Sequence, residues 1–350
     1  MGTLASPDVS DQRIGAAAPS FSRFSPDGAV HDVAGIGNAL VDVIAHGDDD
    51  FLLSEGLVKG SMTLIDTDRA VHLYKAVGSA VEMSGGSAAN TMCGVASFGG
   101  KAVYVGKVSG DDLGDVFGHD LRAVGVRFAP GRPDGETPTG RCVIVVTPDG
   151  QRTMNTYLGV SSLLCPSDVD LDLVASAKVL YMEGYLFDRD DAKEAFRTAA
   201  RAAHAAGRAV SLTLSDSFCV DRHRVDFRAL VRDDCDLVFG NEDELISLYE
   251  VSTFDQAVAA LRADRTMGAI TRGKKGSVVV TFDEVISVAA EPIDQLIDTT
   301  GAGDLYAAGF LYGFTRGMEL AECGRLGSLA ASEVITHVGA RPLVELRKLV

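Results

Sequence analysis

From His31 onward, short runs that are apolar throughout alternate with longer segments of helical apolar spacing. A strand that is apolar on both faces must be covered on both, and intervening helices achieve this when βαβ crossovers build a parallel sheet. Strands are expected over 33–36, 102–105, 179–182, 210–214, 237–239, 269–271 and 278–282, with Ala-rich helices over 191–206 and 254–263 among the connections. The fold class is therefore α/β, doubly wound around a mostly parallel central sheet flanked by helices. Two stretches break the rhythm, at about 41–66 and 126–160. In the second, residues 141–147, the turn Pro148-Asp149-Gly150 and residues 151–157 spell a β-hairpin. The two stretches are expected to pair as a small accessory sheet outside the main one. There is no internal repeat and no linker long enough to separate two units, so residues 31–350 read as one core domain carrying this flap.

Composition narrows the ligand. Lys and Arg number 32 against 49 Asp and Glu, a formal net charge of −17. That is the wrong sign for a protein that neutralises nucleic-acid phosphates or anionic lipid, so small-molecule partners are expected, with no nucleic acid and no membrane. Cys93, Cys142, Cys165, Cys219, Cys235 and Cys323 lie far apart without a C-x-x-C pair. This spacing argues against a zinc site and a disulfide framework, and for buried thiols in a reducing compartment. No apolar run approaches the roughly 18 residues a membrane span needs, and residues 1–30 lack the basic start and apolar stretch of a signal peptide. A cytoplasmic protein with a flexible N-terminal extension over 1–30 is the expectation. Met1-Gly2 followed by Ser6 fits the loose N-myristoylation pattern. A single acyl chain anchors weakly, however, and nothing polybasic follows.

The segment Asp298-Thr-Thr-Gly-Ala-Gly-Asp304 runs straight into a helical pattern over 305–314. Gly301, Ala302 and Gly303 let the backbone pass close to a ligand, and their N–H groups sit at a helix N-terminus that favours an anion. They form a cradle for an oxyanion or phosphate. Asp304, in the first helical turn, can take a proton from a hydroxyl whose oxygen attacks a phosphoryl group. The same residues also suit a plainer reading, with Asp304 a favourable charge on the helix dipole and the glycines a tight turn.

Rival nucleotide folds lack their signatures here. No G-x-x-x-x-G-K-[ST] occurs, and Gly35-Ile-Gly37 is followed by Asn-Ala-Leu instead of the third glycine of a dinucleotide fingerprint. There is no G-x-S-x-G and no H-E-x-x-H. The seven histidines are scattered, and His337 is expected to stabilise the end of a helix that starts near Glu319.

Four segments together resemble one family. Asp298-Thr-Thr-Gly-Ala-Gly-Asp304 resembles the C-terminal signature of the ribokinase-like (PfkB) kinases, and Ser84-Gly-Gly-Ser-Ala-Ala-Asn90, with Gly99-Gly100 downstream, resembles their N-terminal one. Asn241-Glu-Asp-Glu244 resembles the family's N-x-x-E motif, and Thr271-Arg-Gly-Lys-Lys-Gly276 its nucleotide-binding loop. The motifs occur in the family's order over about residues 31–342. The resemblance implies a ribokinase-like fold with a small β-sheet lid, and ATP with Mg²⁺ as cofactors. Asp304 is then the base, and the backbone N–H groups of Gly301, Ala302 and Gly303 stabilise the transferred phosphate. Asn241, Thr271, Gly273 and Gly276 fall at the nucleotide, and Glu244 at Mg²⁺ through water. Some relatives also require K⁺.

Asn241 and Glu244, three apart at a helix start, can lie on one face and hold waters of a hydrated Mg²⁺; the same spacing is a capping box, and the roles can coexist. Thr271 to Gly276 suits backbone approach to a nucleotide, and equally a plain turn between strands. On the acceptor side the resemblance brings together Asn38 and Asp42, after the first strand, with Gly85, Gly86 and Asn90 at a helix start, and Gly85-Gly86 is where the family's lid hinges. Amide and carboxylate groups of these types can satisfy vicinal sugar hydroxyls. Asn38 can also be a turn residue and Asn90 a solvent-facing helix residue. Gly35-Ile-Gly-Asn-Ala-Leu-Val-Asp42 resembles most the adenosine kinases and their bacterial relatives. So does Thr139-Gly-Arg141 leading to Gln151-Arg-Thr-Met-Asn155, where Arg152 corresponds to a lid arginine that neutralises phosphoryl charge. A surface arginine on a hairpin is the alternative. The chain departs from adenosine kinases at Tyr185-Leu186, where they place paired phenylalanines against the purine. The expected reaction is phosphorylation of a primary ribosyl hydroxyl, adenosine to AMP foremost. Inosine, guanosine, ribose, fructose or another sugar as acceptor, and a ligand-binding regulator without phosphotransfer, stay open. Both a monomer and a homodimer are compatible with the sequence.

Overall fold

The computed structural model describes residues 25, 27–131 and 135–350. Most of the expected extension, and the Met1-Gly2 and Ser6 pattern with it, lies outside the described residues. The first half of the chain forms β1 (His31–Ile36), β2 (Leu40–His46), α1 (Asp49–Ser54), β3 (Met62–Leu64), α2 (Thr67–Ala76), β4 (Ala80–Gly85), α3 (Ser87–Ser97), β5 (Ala102–Gly106), α4 (Asp112–Ala123), β6 (Arg127–Pro130), β7 (Gly140–Val146) and β8 (Arg152–Tyr157). Then come α5 (Leu171–Ala175), β9 (Ala177–Glu183), α6 (Asp190–Ala205), β10 (Ala209–Thr213), α7 (Ser217–Asp233), β11 (Leu237–Asn241), α8 (Glu242–Tyr249) and α9 (Phe254–Ala263). The chain closes with β12 (Met267–Thr271), β13 (Ser277–Val280), β14 (Val285–Val288), α10 (Ala302–Phe314) and α11 (Leu320–Val334).

Nine strands make the main sheet, in the order β14-β13-β12-β11-β10-β9-β1-β5-β6. It is parallel from β12 to β6, with β13 and β14 adding antiparallel at one edge. Alternating residues of each central strand feed two cores. From β1, Val33 joins the core under α3, α4, α10 and α11, while Ala34 and Ile36 join the core under α5 to α9. The all-apolar strands are thus buried on both faces. Expected strand 278–282 stops at Val280, because the Thr281 N–H donates to Glu284 O at 2.9 Å and the Glu284 N–H to Thr281 Oγ1 at 3.0 Å. That turn leaves Phe282 56% exposed.

A second sheet of five strands, in the order β3-β8-β7-β2-β4, forms the accessory lid. The β7–β8 hairpin has the expected register, with the Gly150 N–H closing its turn onto Thr147 O at 2.8 Å. The limits expected for the flap need correcting in two places. β4, outside both expected stretches, pairs antiparallel along β2 from Ala80 to Gly85. β6, inside the second stretch, is the edge strand of the main sheet and pairs with β5. A short half-exposed edge strand has no all-apolar run to betray it. Of the cysteines, Cys93, Cys142, Cys219, Cys235 and Cys323 are buried thiols, whereas Cys165 is only half-buried, its thiol donating to Asp168. Among the described residues no helix is long and apolar enough to cross a membrane.

Candidate active site

α3 and α10 lie side by side, and Gly94 sets how closely. A Cβ there would come within 2.5 Å of the Ala308 Cβ. One turn earlier on both helices, the same closeness brings Asn90 to Asp304. The Asn90 Nδ2 donates to Asp304 Oδ2 at 3.1 Å and the Ser87 Oγ to Oδ1 at 2.6 Å. Asn90 is buried, which settles against a solvent-facing role. Gly301, the N-cap of α10, is left-handed at φ 79°, and a Cβ on it would meet the Ala340 backbone at 2.8 Å. Gly303 faces open space, with nothing within 4 Å of where a Cβ would stand. Gly301, Ala302, Gly303 and Asp304 thus stand together at one helix end. Burial pushes the Asp304 carboxyl above the usual carboxylate range, and the bonds from Ser87 and Asn90 and the charge of Arg341 oppose it.

The chain crosses between the two sheets at Gly37–Ala39 and again at Gly85–Gly86. The crossings touch: a Cβ on Gly86, itself at φ 92°, would lie 2.3 Å from Asn38 O. Glu183, at the end of β9, joins them. It accepts from the Asn38 N–H at 3.2 Å, the Asn38 Nδ2 at 3.0 Å and the Ala88 N–H at 2.8 Å. Its carboxyl is pushed up to about 7, chiefly by burial. Asn38 is 1% exposed, and its Oδ1 accepts from Ser161 at 3.0 Å. The sequence expectation places Asn38 on the acceptor side; in the structure both ends of its amide are engaged within the protein, and as arranged it braces the crossing. Asp42 does stay available. It lies against Gly85, where a Cβ would meet its carboxyl at 2.5 Å, and burial lifts its pKa to about 6.

Arg152, at the start of β8, ion-pairs with Asp298 in the loop before α10; each side chain is 9% exposed, so it is no surface arginine. Asp298 also accepts from the Thr300 N–H at 2.9 Å and the Gly339 N–H at 3.0 Å. The lid hairpin is thereby tied to the loop that begins α10.

Beyond Gly303 opens a groove of about 170 Å³ that Thr271, Gly273, Gly276, Ala302, Gly303 and Ile335 help to line. Small residues dominate its lining, and Gly303 faces open space where a Cβ would stand. A wider depression, about 360 Å³, lies among Asp48, Asp49, Asp50, Lys59 and Asp149 on the lid, with Lys59 ion-paired to Asp49 and Asp149, and shares no residue with the groove. Asn241 does not line the groove, although it pairs in register with Thr271. It caps α8: its Oδ1 accepts from the Glu244 N–H at 2.9 Å, while Glu244 Oε2 accepts from the Asn241 N–H at 3.0 Å. Burial raises the Glu244 carboxyl to about 7. Among the described residues no group of three or more His, Cys, Asp or Glu is placed to hold a metal. A Mg²⁺ at this site therefore fits only as an ion that keeps its waters and its phosphate ligands, as that small hard cation does. At the pair where the chain departs from adenosine kinases, Leu186 is buried in the core and the Tyr185 hydroxyl donates to Ser215 O at 3.3 Å. Sequence reasoning missed Glu183, Ser87 and Arg341; only Ser87 sat inside a quoted motif.

Comparison with known proteins fits this geometry. The family model described as pfkB family carbohydrate kinase matches residues 56–346. The structure of adenosine kinase from Sinorhizobium meliloti is 53% identical, covers 92% of this chain and 98% of its own, and superimposes with a TM-score of 0.84. A probable sugar kinase from Rhizobium etli CFN 42 is 50% identical over 91% of this chain and 97% of its own, also at 0.84. Adenosine kinase 2 of Arabidopsis thaliana is 26% identical over 329 residues, 87% of this chain and 94% of its own. The chain is a phosphotransferase acting on an alcohol group, and it belongs to the PfkB family of carbohydrate kinases.

Proposed function

We propose that this chain transfers the γ-phosphate of ATP to the 5′ hydroxyl of adenosine, giving AMP. The observation that carries the reading is the place of Asp304, on the helix end that separates the Asp42 and Asn90 side from the groove of Thr271, Gly273 and Gly276. The kinship to an adenosine kinase at 53% identity supports the choice of acceptor. Asp304 takes the proton of the attacking hydroxyl, and the N–H groups of Gly301 and Gly303, joined by that of Ala302 once it leaves Thr299 O, meet the charge that grows on the transferred phosphoryl group. Asp42 and Asn90 orient the ribose. Arg152 turns from Asp298 toward the phosphoryl oxygens as the lid closes and water is excluded. Asn241 orders the nucleotide end of the site from β11, and Glu244 would hold a water ligand of Mg²⁺ bound with the nucleotide.

The test is ATP consumption with Mg²⁺ against adenosine, inosine, guanosine, ribose and fructose, with detection of the phosphorylated product. Strong selectivity for adenosine is expected. Preference for a free sugar would keep the chemistry and overturn the acceptor. Asp304→Asn is expected to lower kcat by roughly 10²-fold to 10⁴-fold while the protein stays folded.

A further inference from the structure

The segment after α11 lies against the site residue by residue. The Gly339 N–H donates to Asp298 at 3.0 Å, Ala340 fills the space beside Gly301, and the Arg341 Nε donates to Asn90 Oδ1 at 3.0 Å. Asn90 donates in turn to Asp304 at 3.1 Å. The Arg341 Nη2 is buried without an acceptor among the described residues.

An Asn amide has nearly the same outline either way round, and its orientation is set by its partners. A guanidinium only donates, so Arg341 draws the carbonyl oxygen of Asn90 to itself. The Nδ2 hydrogens then face Asp304, which favours the ionised carboxylate. With the amide reversed, its oxygen would face Asp304 and favour the protonated acid, which cannot accept a proton.

We propose that Arg341 is a positioning residue for phosphoryl transfer, fixing the Asn90 amide so that it presents its N–H to Asp304 and supplying the positive charge that Asp304 and Asp42 both face. This inference rests on the reading of Asp304 as the base. The groups around Asp304 are Ser87 and Asn90 from α3, Asp42 from β2, Tyr181 and Glu183 from β9, Tyr185 beyond it, and Arg341. Arg341 is the cation that draws the Asp304 carboxyl downward against burial, whereas Asp42 faces two, Arg152 more strongly and Arg341 after it. Loss of its charge moves the acid limb of the pH–rate profile to higher pH.

The experiment compares the full chain with Arg341→Gln, Arg341→Lys and Asp304→Asn, measuring kcat and kcat/KM with adenosine and MgATP across pH, with thermal unfolding of each. Arg341→Gln is expected to lower kcat about tenfold or more, to shift the acid limb up by about one pH unit, and to change KM for adenosine far less. Arg341→Lys keeps the charge and loses the planar fork, so it recovers the limb but only part of kcat. It also serves if the Gln variant fails to fold. An inactive Asp304→Asn beside Arg341 variants whose limb stays at the wild-type pH overturns this inference alone. A fully active Asp304→Asn overturns the base assignment, and this inference with it.

Discussion

Gly301 and Gly303 stand in one turn yet answer to different constraints. Gly301 is left-handed, and the Ala340 backbone lies within 2.8 Å of any Cβ it could carry; at Gly303 a Cβ meets nothing within 4 Å. Gly301→Ala is expected to destabilise the protein by about 1–3 kcal/mol, through strain and clash. Gly303→Ala is expected to change stability by less than about 0.5 kcal/mol while raising KM for ATP, because its methyl enters the groove. Denaturant unfolding and ATP titration separate the two, and equal stability losses would contradict the assignment. At this scale the motif from Asp298 to Asp304 was legible because a helix start and its glycines are encoded within one turn. Asn38 was not: whether its amide meets a sugar or Glu183 depends on a residue 145 positions away.

At the scale of elements, the β7–β8 hairpin could be read from its two runs and its turn, whereas β4 could not. Its exposed first half, Ala80 and Val81, carries no burial pattern, and only the pairing with β2 makes it a lid strand. The lid is held to α10 by Arg152 and Asp298, both nearly buried. Arg152→Met leaves Asp298 its bonds from Thr300 and Gly339, so the loop should persist while the hairpin loosens. A loss of about 1–2 kcal/mol in local stability makes brief proteolysis within 140–157 about 5-fold to 30-fold faster. Under the proposed function reduced kcat should accompany it, since the same side chain is proposed to turn toward the transferring phosphoryl group. Unchanged cleavage would show that the ion pair does not hold the lid.

At the scale of the molecule, five carboxyls among the described residues are held above their ordinary range, each chiefly through burial: Asp42 at about 6, Glu183 and Glu244 at about 7, and Asp234 and Asp304 raised as well. The folded chain therefore binds their protons more tightly than the unfolded one. Their contribution to stability is complete below about pH 4 and is lost as pH rises through about 6 to 7. His31, its pKa lowered chiefly by burial, works in the opposite sense, but it is one group. The melting temperature is expected to fall by on the order of 5 °C between pH 5 and pH 8. A flat or rising series would overturn it. The sequence by itself determined the α/β class, the hairpin, the cap of α8 and the helix end that carries Asp304, because periodicity, turns and caps are written within a few neighbouring residues. Only the tertiary structure decided that Asn38 braces a crossing, that Arg152 meets Asp298 and that Arg341 reaches Asn90 across 251 positions. Those contacts arise where two sheets and the last segment of the chain pack together, and no local pattern encodes which side chains then face each other.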